Sequence, residues 1–314
     1  MDDATTTNQV LEMPELPPRV AKSKPNHRRF DRFIRLVSEP GFERLQAAHV
    51  VIFGLGGVGG FAAEGLARCG VGTLTLVDFD TVCATNVNRQ IQALQGATGK
   101  SKAQLLGDRL RLINPQATLH IVQEFYNKDN AERLLPEHNK PDFVVDAIDN
   151  ISAKMHLMNR CKHLQIPIVS SMGAAGKLDP TAVRIADLYQ THTDPFARAI
   201  RKQLRRFYDW PENSKPKTKV TCGVTVIYSE ESRRKPLPPS WDDAHGFQCI
   251  CPSGDNDLHS CSHRNLIEGS AVFVTSVFGM AAASVVIRDL VGEGVAPTRI
   301  EVGQSKALSC ASCD

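Results

Sequence analysis

Short apolar runs alternate with segments of helical periodicity along the central part of the chain. The run HVVIF at 49–53 is followed by glycines and then by FAAEGLARCG at 61–70, a segment typical of a helix that ends at a glycine. The alternation continues, with predicted strands at 73–80, 118–125, 142–149 and 167–173 and predicted helices at 101–115, 129–135 and 151–165. Strands and helices at this spacing form βαβ units, so we predict an α/β, Rossmann-like, doubly wound and mainly parallel sheet.

The pattern is less regular at both ends of the chain. Residues 1–26 are polar and contain proline without a period, which predicts a disordered tail. Beyond residue 180 the pattern predicts a strand, a basic helix and a second strand, at 182–189, 194–210 and 224–229. Residues 230–264 lack a period and predict a long loop that is either functional or disordered. We therefore expect three parts: the tail, a nucleotide-binding domain at 27–190, and an extension at 191–314 of strands, long loop and apolar helix, packed on the same domain.

Composition narrows the class of protein. A chain of 314 residues with 42% hydrophobic and 23% charged residues has the composition of an ordinary globular protein. The chain has nine cysteines, an odd number, and its polar N-terminal segment lacks the apolar run of a signal peptide. Both observations favour a reducing compartment over a disulfide framework. We expect a cytoplasmic protein, with a mitochondrial or membrane-associated location left open. The uncharged segment 269–287 is long enough for a membrane span but rich in small residues, so we expect a buried helix and leave membrane contact open.

A glycine-rich loop follows the first predicted strand. Gly54, Gly56 and Gly59 form G-x-G-x-x-G between a strand and a helix, where backbone N–H groups and the helix N-terminus can bind phosphate. Asp78 ends the second predicted strand, at the place of an acid that binds ribose hydroxyls. These features alone fit an NAD-dependent oxidoreductase equally well.

Two cations and a further carboxylate favour a nucleoside triphosphate over NAD as the ligand of this loop. We predict that Arg89 and Lys102 flank the phosphates of a triphosphate. Attack at an α-phosphate with loss of pyrophosphate requires such cations, whereas a nicotinamide site does not. The alternative is that both residues are solvated cations on the surface. Asp149 ends the fourth predicted strand at the ligand-binding edge of the sheet, where a carboxylate suits Mg²⁺. A helix-capping role is the alternative for Asp149, and Asn150 fits that role as well. Asp146, predicted to lie within the strand, is the weaker candidate.

Five motifs in this order resemble the adenylating domain of the ubiquitin-activating enzyme superfamily: RFDR at 29–32, GLGGVG at 54–59, the DFD and NVNRQ pieces of 78–90, the Lys102 helix start, and DAIDN at 146–150. The resemblance covers roughly residues 28–190 and identifies 27–190 as an ATP-binding adenylating domain. It implies that ATP is bound by Gly54, Gly56, Gly57, Gly59, Asp78, Asp80, Asn86, Arg89, Lys102 and Asp149. It also implies that Asp149 binds Mg²⁺. Arg32 is implied to reach the phosphates bound by the other subunit, and the catalytic candidates are Arg32, Arg89, Lys102 and Asp149. A homodimer is expected.

Residues 170–206 resemble one branch of this superfamily, the tRNA threonylcarbamoyladenosine dehydratases. The resemblance implies ATP-dependent cyclisation of N6-threonylcarbamoyladenosine at tRNA position 37 through carboxylate adenylation. Expected cofactors are ATP and Mg²⁺, with a monovalent cation as a further candidate, and expected partners are tRNA and a sulfur-transfer protein. Cys261 lies near the position of a loop cysteine in this branch, so we include it among the catalytic candidates. The chain departs from this branch by extra residues at 264–268, between Cys261 and the apolar helix.

The charge pattern agrees with an RNA partner. Five basic residues recur on one predicted helix, and we predict that they bind tRNA: Arg198, Arg201, Lys202, Arg205 and Arg206. Phe207, Tyr208 and Trp210 follow and are expected to stack on unpaired bases. A solvated helix face is the alternative.

The remaining cysteines leave other functions open. Cys249, Cys251, Cys261 and His263 match no established zinc spacing, and we do not expect zinc. Adenylyltransferases for sulfur carriers usually have two C-x-x-C pairs, whereas this chain has one, at 310–313. The alternatives are an adenylyltransferase that activates the C-terminus of a ubiquitin-like sulfur carrier, a non-catalytic nucleotide-binding scaffold, and an NAD-dependent oxidoreductase.

Overall fold

The computed structural model describes residues 28–211, 221–237 and 268–293. Seven strands form one sheet in the order β3-β2-β1-β4-β5-β7-β6, and the only antiparallel pair in it is β6 with β7. The strands are β1 His49–Phe53, β2 Thr73–Val77, β3 Thr118–Val122, β4 Phe143–Asp146, β5 Ile168–Ser171, β6 Val183–Asp187 and β7 Thr225–Ser229. The helices are α1 Asp31–Ala47, α2 Gly59–Arg68, α3 Lys102–Ile113, α4 Ala131–Leu134, α5 Ile151–Leu164, α6 Pro195–Tyr208 and α7 Val272–Leu290. The predicted α/β, mainly parallel fold is confirmed.

Helices cover both faces of this sheet. One face packs against α2, α3 and α7, and the other packs against α5 and α6. Buried apolar side chains from both faces make the central strands almost fully inaccessible, as expected for parallel strands between two helical layers. Strand β6 comes from the predicted domain 27–190 and pairs with β7 of the predicted extension, so both parts contribute to one sheet. The boundary at residue 190 stays a prediction.

Five strands, β2 to β6, end two or three residues earlier than predicted, and the ends of β2 and β4 correct the placement of three acidic residues. β2 ends at Val77 because the Asp78 carboxylate accepts a hydrogen bond from the Asp80 backbone N–H and turns the chain out of the sheet. β4 ends at Asp146 for the same reason, since its carboxylate accepts a hydrogen bond from the Ile148 N–H. Asp78, Asp80 and Asp149 therefore lie on loops beyond the carboxyl ends of their strands.

The apolar C-terminal segment forms α7, which packs against α2 and the sheet. It buries Val274, Phe278 and Val286 completely. Among the described residues it is the one helix long and apolar enough to cross a membrane, and 50% of its most apolar window is buried within the protein. The expected buried helix thus packs against α2 and the sheet, whereas membrane contact stays open.

Candidate active site

The glycine loop connects β1 to α2 and has a conformation that only glycine permits at two positions. Gly54 has φ of +84°, and a Cβ atom there would lie 2.6 Å from the carbonyl oxygen of Ala147. A Cβ atom at Gly59 would lie 1.8 Å from the carbonyl oxygen of Gly54. Helix α2 starts at Gly59 without a side-chain cap from Val58, so no capping side chain competes with a phosphate at the N-terminus of the helix.

Asp78 fastens this loop to the end of β2. Its carboxylate accepts the Leu55 N–H at 2.6 Å and the Asp80 N–H at 2.8 Å. Burial raises the pKa of Asp78, while the nearby Lys102 opposes that shift. Each carboxylate oxygen retains a second lone pair, so the group can still accept a ribose hydroxyl. The geometry is compatible with the predicted ribose contact.

Lys102, Asp80, Asn86 and Arg89 lie beside the glycine loop. The Lys102 ammonium is 2.8 Å from the Asp80 carboxylate, and both side chains line the same cavity. Asn86 is buried and accepts the Cys83 N–H, which holds the short turn that carries Arg89. The cations are thereby held in place within the cavity by protein contacts.

Asp149 and its neighbour Asn150 have different roles. The Asn150 side chain accepts the Ala153 N–H and caps α5, so the capping alternative belongs to Asn150. Asp149 lines the cavity with an exposed carboxylate to which no described group donates a hydrogen bond. Mg²⁺ takes one or two protein carboxylates together with phosphate oxygens and waters, and Asp149 fits that requirement.

A buried ion pair that the sequence did not reveal lies at the start of the loop that carries Asp149. The Lys154 ammonium lies 2.8 Å from the Asp146 carboxylate and 3.1 Å from the Ser170 hydroxyl oxygen, and the Ser170 hydroxyl donates to the same carboxylate at 2.6 Å. All three side chains are fully buried, and burial lowers the pKa of Lys154. Asp146 is not among the cavity-lining residues, so it acts through the shape of the loop that it starts.

One cavity of about 960 Å³ gathers these groups. It is lined by nine of the ten predicted ATP-binding residues: Gly54, Gly56, Gly57, Asp78, Asp80, Asn86, Arg89, Lys102 and Asp149. Gly59 lies behind the loop at the start of α2. Arg32 is exposed on α1 and lies outside the cavity of its own chain.

The cavity continues past the nucleotide-binding loop into a second region, which we call the substrate arm. Residues 171–175, Lys177, Asp194, Phe196, Arg233 and Glu268 line it. These residues were not predicted as site residues. They come from separate parts of the sequence, namely the end of β5 and the loop after it, the start of α6, the segment after β7 and the residues before α7, and the fold brings these parts together beside the glycine loop.

Helix α6 carries the predicted tRNA-binding residues on surfaces of unequal exposure. Arg198, Lys202 and Arg206 are exposed. Arg201 is half-buried, burial lowers its pKa, and its guanidinium donates to the Leu188 carbonyl and the Thr191 hydroxyl. The half-buried Arg205 donates to the Arg201 carbonyl.

The stacking prediction for Trp210 is wrong. Its side chain is only 4% exposed, because the indole N–H donates to Asn159 and the Lys162 ammonium lies 4.2 Å from the ring centre. Phe207 is 59% exposed and remains a candidate for stacking.

Other predictions fall on residues outside the described ranges. These are the tail, the C-x-x-C pair, and Cys249, Cys251, Cys261 and His263. Within the described ranges, no group of three His, Cys, Asp or Glu side chains could hold a metal ion.

Comparison of the sequence and the fold with known proteins identifies the family of this chain. The family model of the ThiF family matches residues 30–307. The tRNA threonylcarbamoyladenosine dehydratase of Bacillus subtilis is 38% identical, with 83% of this chain and 94% of the relative covered, and that of Haemophilus influenzae is 34% identical, with 83% and 93% covered. The crystal structure of the Escherichia coli tRNA N6-threonylcarbamoyladenosine dehydratase in complex with ATP superposes with a TM-score of 0.72, at 32% identity, and covers 87% of this chain and 98% of that one. The chain therefore belongs to the ThiF family.

Proposed function

We propose that this protein is an ATP-dependent tRNA threonylcarbamoyladenosine dehydratase. The observation that carries the proposal is the single cavity in which the glycine loop, Arg89, Lys102 and Asp149 surround a nucleotide-sized volume that opens into the substrate arm. The dehydratases of Bacillus subtilis and Haemophilus influenzae match nearly their whole length to this chain, which supports the same activity here. An adenylating enzyme needs such a continuous site, because its second substrate must reach the α-phosphate.

The reaction has two steps. A carboxylate oxygen of the threonylcarbamoyl group attacks the α-phosphorus of ATP, the bond to the bridging oxygen breaks, and pyrophosphate leaves with that electron pair. A heteroatom of the neighbouring carbamoyl group then attacks the acyl carbon of the adenylate, a proton is lost, and AMP leaves. The net reaction removes the elements of one water molecule from the modified base. These elements balance the cleavage of ATP to AMP and pyrophosphate.

The residues of the cavity supply charge stabilisation for the first step. Backbone N–H groups of the glycine loop, Arg89 and Lys102 stabilise the negative charge that develops on the phosphates. Asp78 and Asn86 orient the ribose and the turn beside it. Asp149 would hold Mg²⁺, which supplies further charge neutralisation on the phosphates.

Exchange of labelled pyrophosphate into ATP tests the activity and its main alternative. We expect exchange to be stimulated by tRNA that carries threonylcarbamoyladenosine, because adenylation is the reversible step. Cyclised nucleoside should then be detected by mass spectrometry after digestion of the tRNA. Equal stimulation by tRNA without the modification would contradict the proposed substrate. Exchange that depends instead on a ubiquitin-like protein ending in Gly-Gly would support the sulfur-carrier alternative.

Arg32 makes a homodimer part of the proposal. Its side chain is exposed on α1 and lies outside its own cavity, so it can act at the phosphates of a second subunit. Arg32→Ala and Asp149→Ala are each expected to be inactive, since each removes one half of every site. Mixing them should restore one working site per heterodimer, which is roughly a quarter of wild-type turnover for random pairing. Lack of restoration after verified subunit exchange would contradict a shared site.

The exposed face of α6 is proposed to bind the tRNA backbone through Arg198, Lys202 and Arg206, with Arg201 and Arg205 nearby. A catalytic contribution of Cys261, a monovalent cation, a sulfur-transfer partner and a cytoplasmic location remain predictions.

A further inference from the structure

Among the described residues, the substrate arm contains one cation, Lys177, that forms no direct ion pair with a carboxylate. Arg233 forms an ion pair with Glu268. Lys177 lines the same arm, and its ammonium donates to the backbone carbonyl of Glu231 at 2.7 Å. No carboxylate among the described residues forms an ion pair with Lys177. An ammonium has three N–H donors, so two remain for a ligand.

The acidic groups near Lys177 are engaged elsewhere. The Asp194 carboxylate accepts backbone N–H groups from Gly173, Phe196 and Ala197, and thereby joins the loop after β5 to the start of α6. The Glu231 carboxylate accepts the N–H groups of Leu178 and Asp179. Both carboxylates attract Lys177 at longer range without closing on it.

Lys177 is only 3% exposed. Burial lowers its pKa, and the negative charges of Asp194 and Glu231 counteract that shift. A buried cation that lacks a paired carboxylate is energetically unfavourable, and a neutral donor would satisfy the Glu231 carbonyl equally well. The positive charge itself therefore calls for an anionic ligand in the arm.

We propose that Lys177 binds the substrate carboxylate that becomes adenylated. This inference rests on the proposed function and assigns to one residue the recognition of the carboxylate. The carboxylate must approach a polyphosphate of the same sign, and a cation in the arm offsets that repulsion. Lys177 thereby selects a carboxylate over a neutral group of the same shape.

The substrate side of the contact can be tested in the wild-type protein. The dissociation constant is measured for tRNA that carries threonylcarbamoyladenosine and for the same tRNA with its threonyl carboxylate converted to the methyl ester, both with α,β-methylene-ATP present. We expect the ester to bind about 10- to 100-fold more weakly, as for loss of one charged hydrogen bond. Equal affinity would overturn the inference without need of any variant.

The protein side uses charge-changing variants. Lys177→Gln is expected to bind acid and ester equally, and Lys177→Arg to keep part of the preference because it keeps the charge. The exposed Lys128, which is outside the cavity, serves as control in Lys128→Gln and should keep the wild-type ratio. An unchanged ratio of the ester and acid dissociation constants in Lys177→Gln would overturn the inference. Equal loss of that ratio in Lys177→Arg and Lys177→Gln would also overturn it, because it would indicate that Lys177 acts through packing.

The two proposals fail in different ways. If the wild type cyclises the modified tRNA but does not distinguish acid from ester, the proposed function stands and the inference about Lys177 falls. If the wild type neither exchanges pyrophosphate nor cyclises the modified tRNA, the proposed function fails, and the inference fails with it. Affinity for α,β-methylene-ATP alone should be unchanged in Lys177→Gln, and its loss would assign Lys177 to the nucleotide site instead.

Discussion

Lys102→Met is expected to lower kcat for cyclisation by about 10²- to 10³-fold, the range observed when one preorganised donor to a developing oxyanion is removed. Lys102 is 6% exposed and faces the cavity beside the glycine loop, where water screens its charge poorly. The measurement is single-turnover kinetics at saturating ATP, which separates the chemical step from nucleotide binding.

A nearby lysine provides the control for this variant. Lys100 is exposed and does not line the cavity, so Lys100→Met should retain wild-type kcat. Because Lys102 pairs with Asp80, the variant also leaves that carboxylate without its partner. The double variant Lys102→Met with Asp80→Asn separates the two effects. Full recovery in the double variant would mean that Lys102 only neutralises Asp80, contrary to a role at the phosphates.

Lys154→Met is expected to lower the free energy of unfolding by about 3–5 kcal/mol, because it leaves the Asp146 carboxylate buried without a counterion. The loss should also disturb the loop that carries Asp149, since Asp146 holds that loop through the Ile148 N–H. Urea unfolding followed by circular dichroism gives the free energy, and ATP affinity reports on the loop.

A second substitution distinguishes loss of the ion pair from loss of packing. Asp146→Asn in the Lys154→Met background removes the orphaned charge and keeps an acceptor for the Ile148 N–H, so part of the stability should return. The control is Lys162→Met, because Lys162 is an exposed residue of the same helix. Loss of its contact with Trp210 should lower the free energy of unfolding by less than about 1 kcal/mol. A Lys154→Met effect as small as that of Lys162→Met would contradict the importance of the buried pair.

The fold and half of the cavity could be predicted because they depend on local sequence. Strand and helix periods are properties of neighbouring residues, and the carboxyl ends of parallel strands meet at one edge. The glycine loop, Asp78, Lys102 and Asp149 therefore converge as soon as the strand order is known. The end of β4 was predicted three residues too late, because an Asp side chain that turns the chain has no signature in the hydrophobic pattern.

The sequence by itself determined the doubly wound sheet and the position of the phosphate-binding loop, since Gly54 and Gly59 are required by the local backbone. Only the tertiary structure decided which distant side chains are partners. It paired Lys154 with Asp146 and Ser170, buried Trp210 against Asn159, and brought Lys177 into the cavity. These outcomes depend on how separate elements pack: Lys154 and Asp146 are eight residues apart but belong to α5 and β4, and Trp210 and Asn159 are 51 residues apart. The hydrophobic pattern along the chain does not encode such contacts, and a polar group is buried at low cost only where the complete fold supplies its partner.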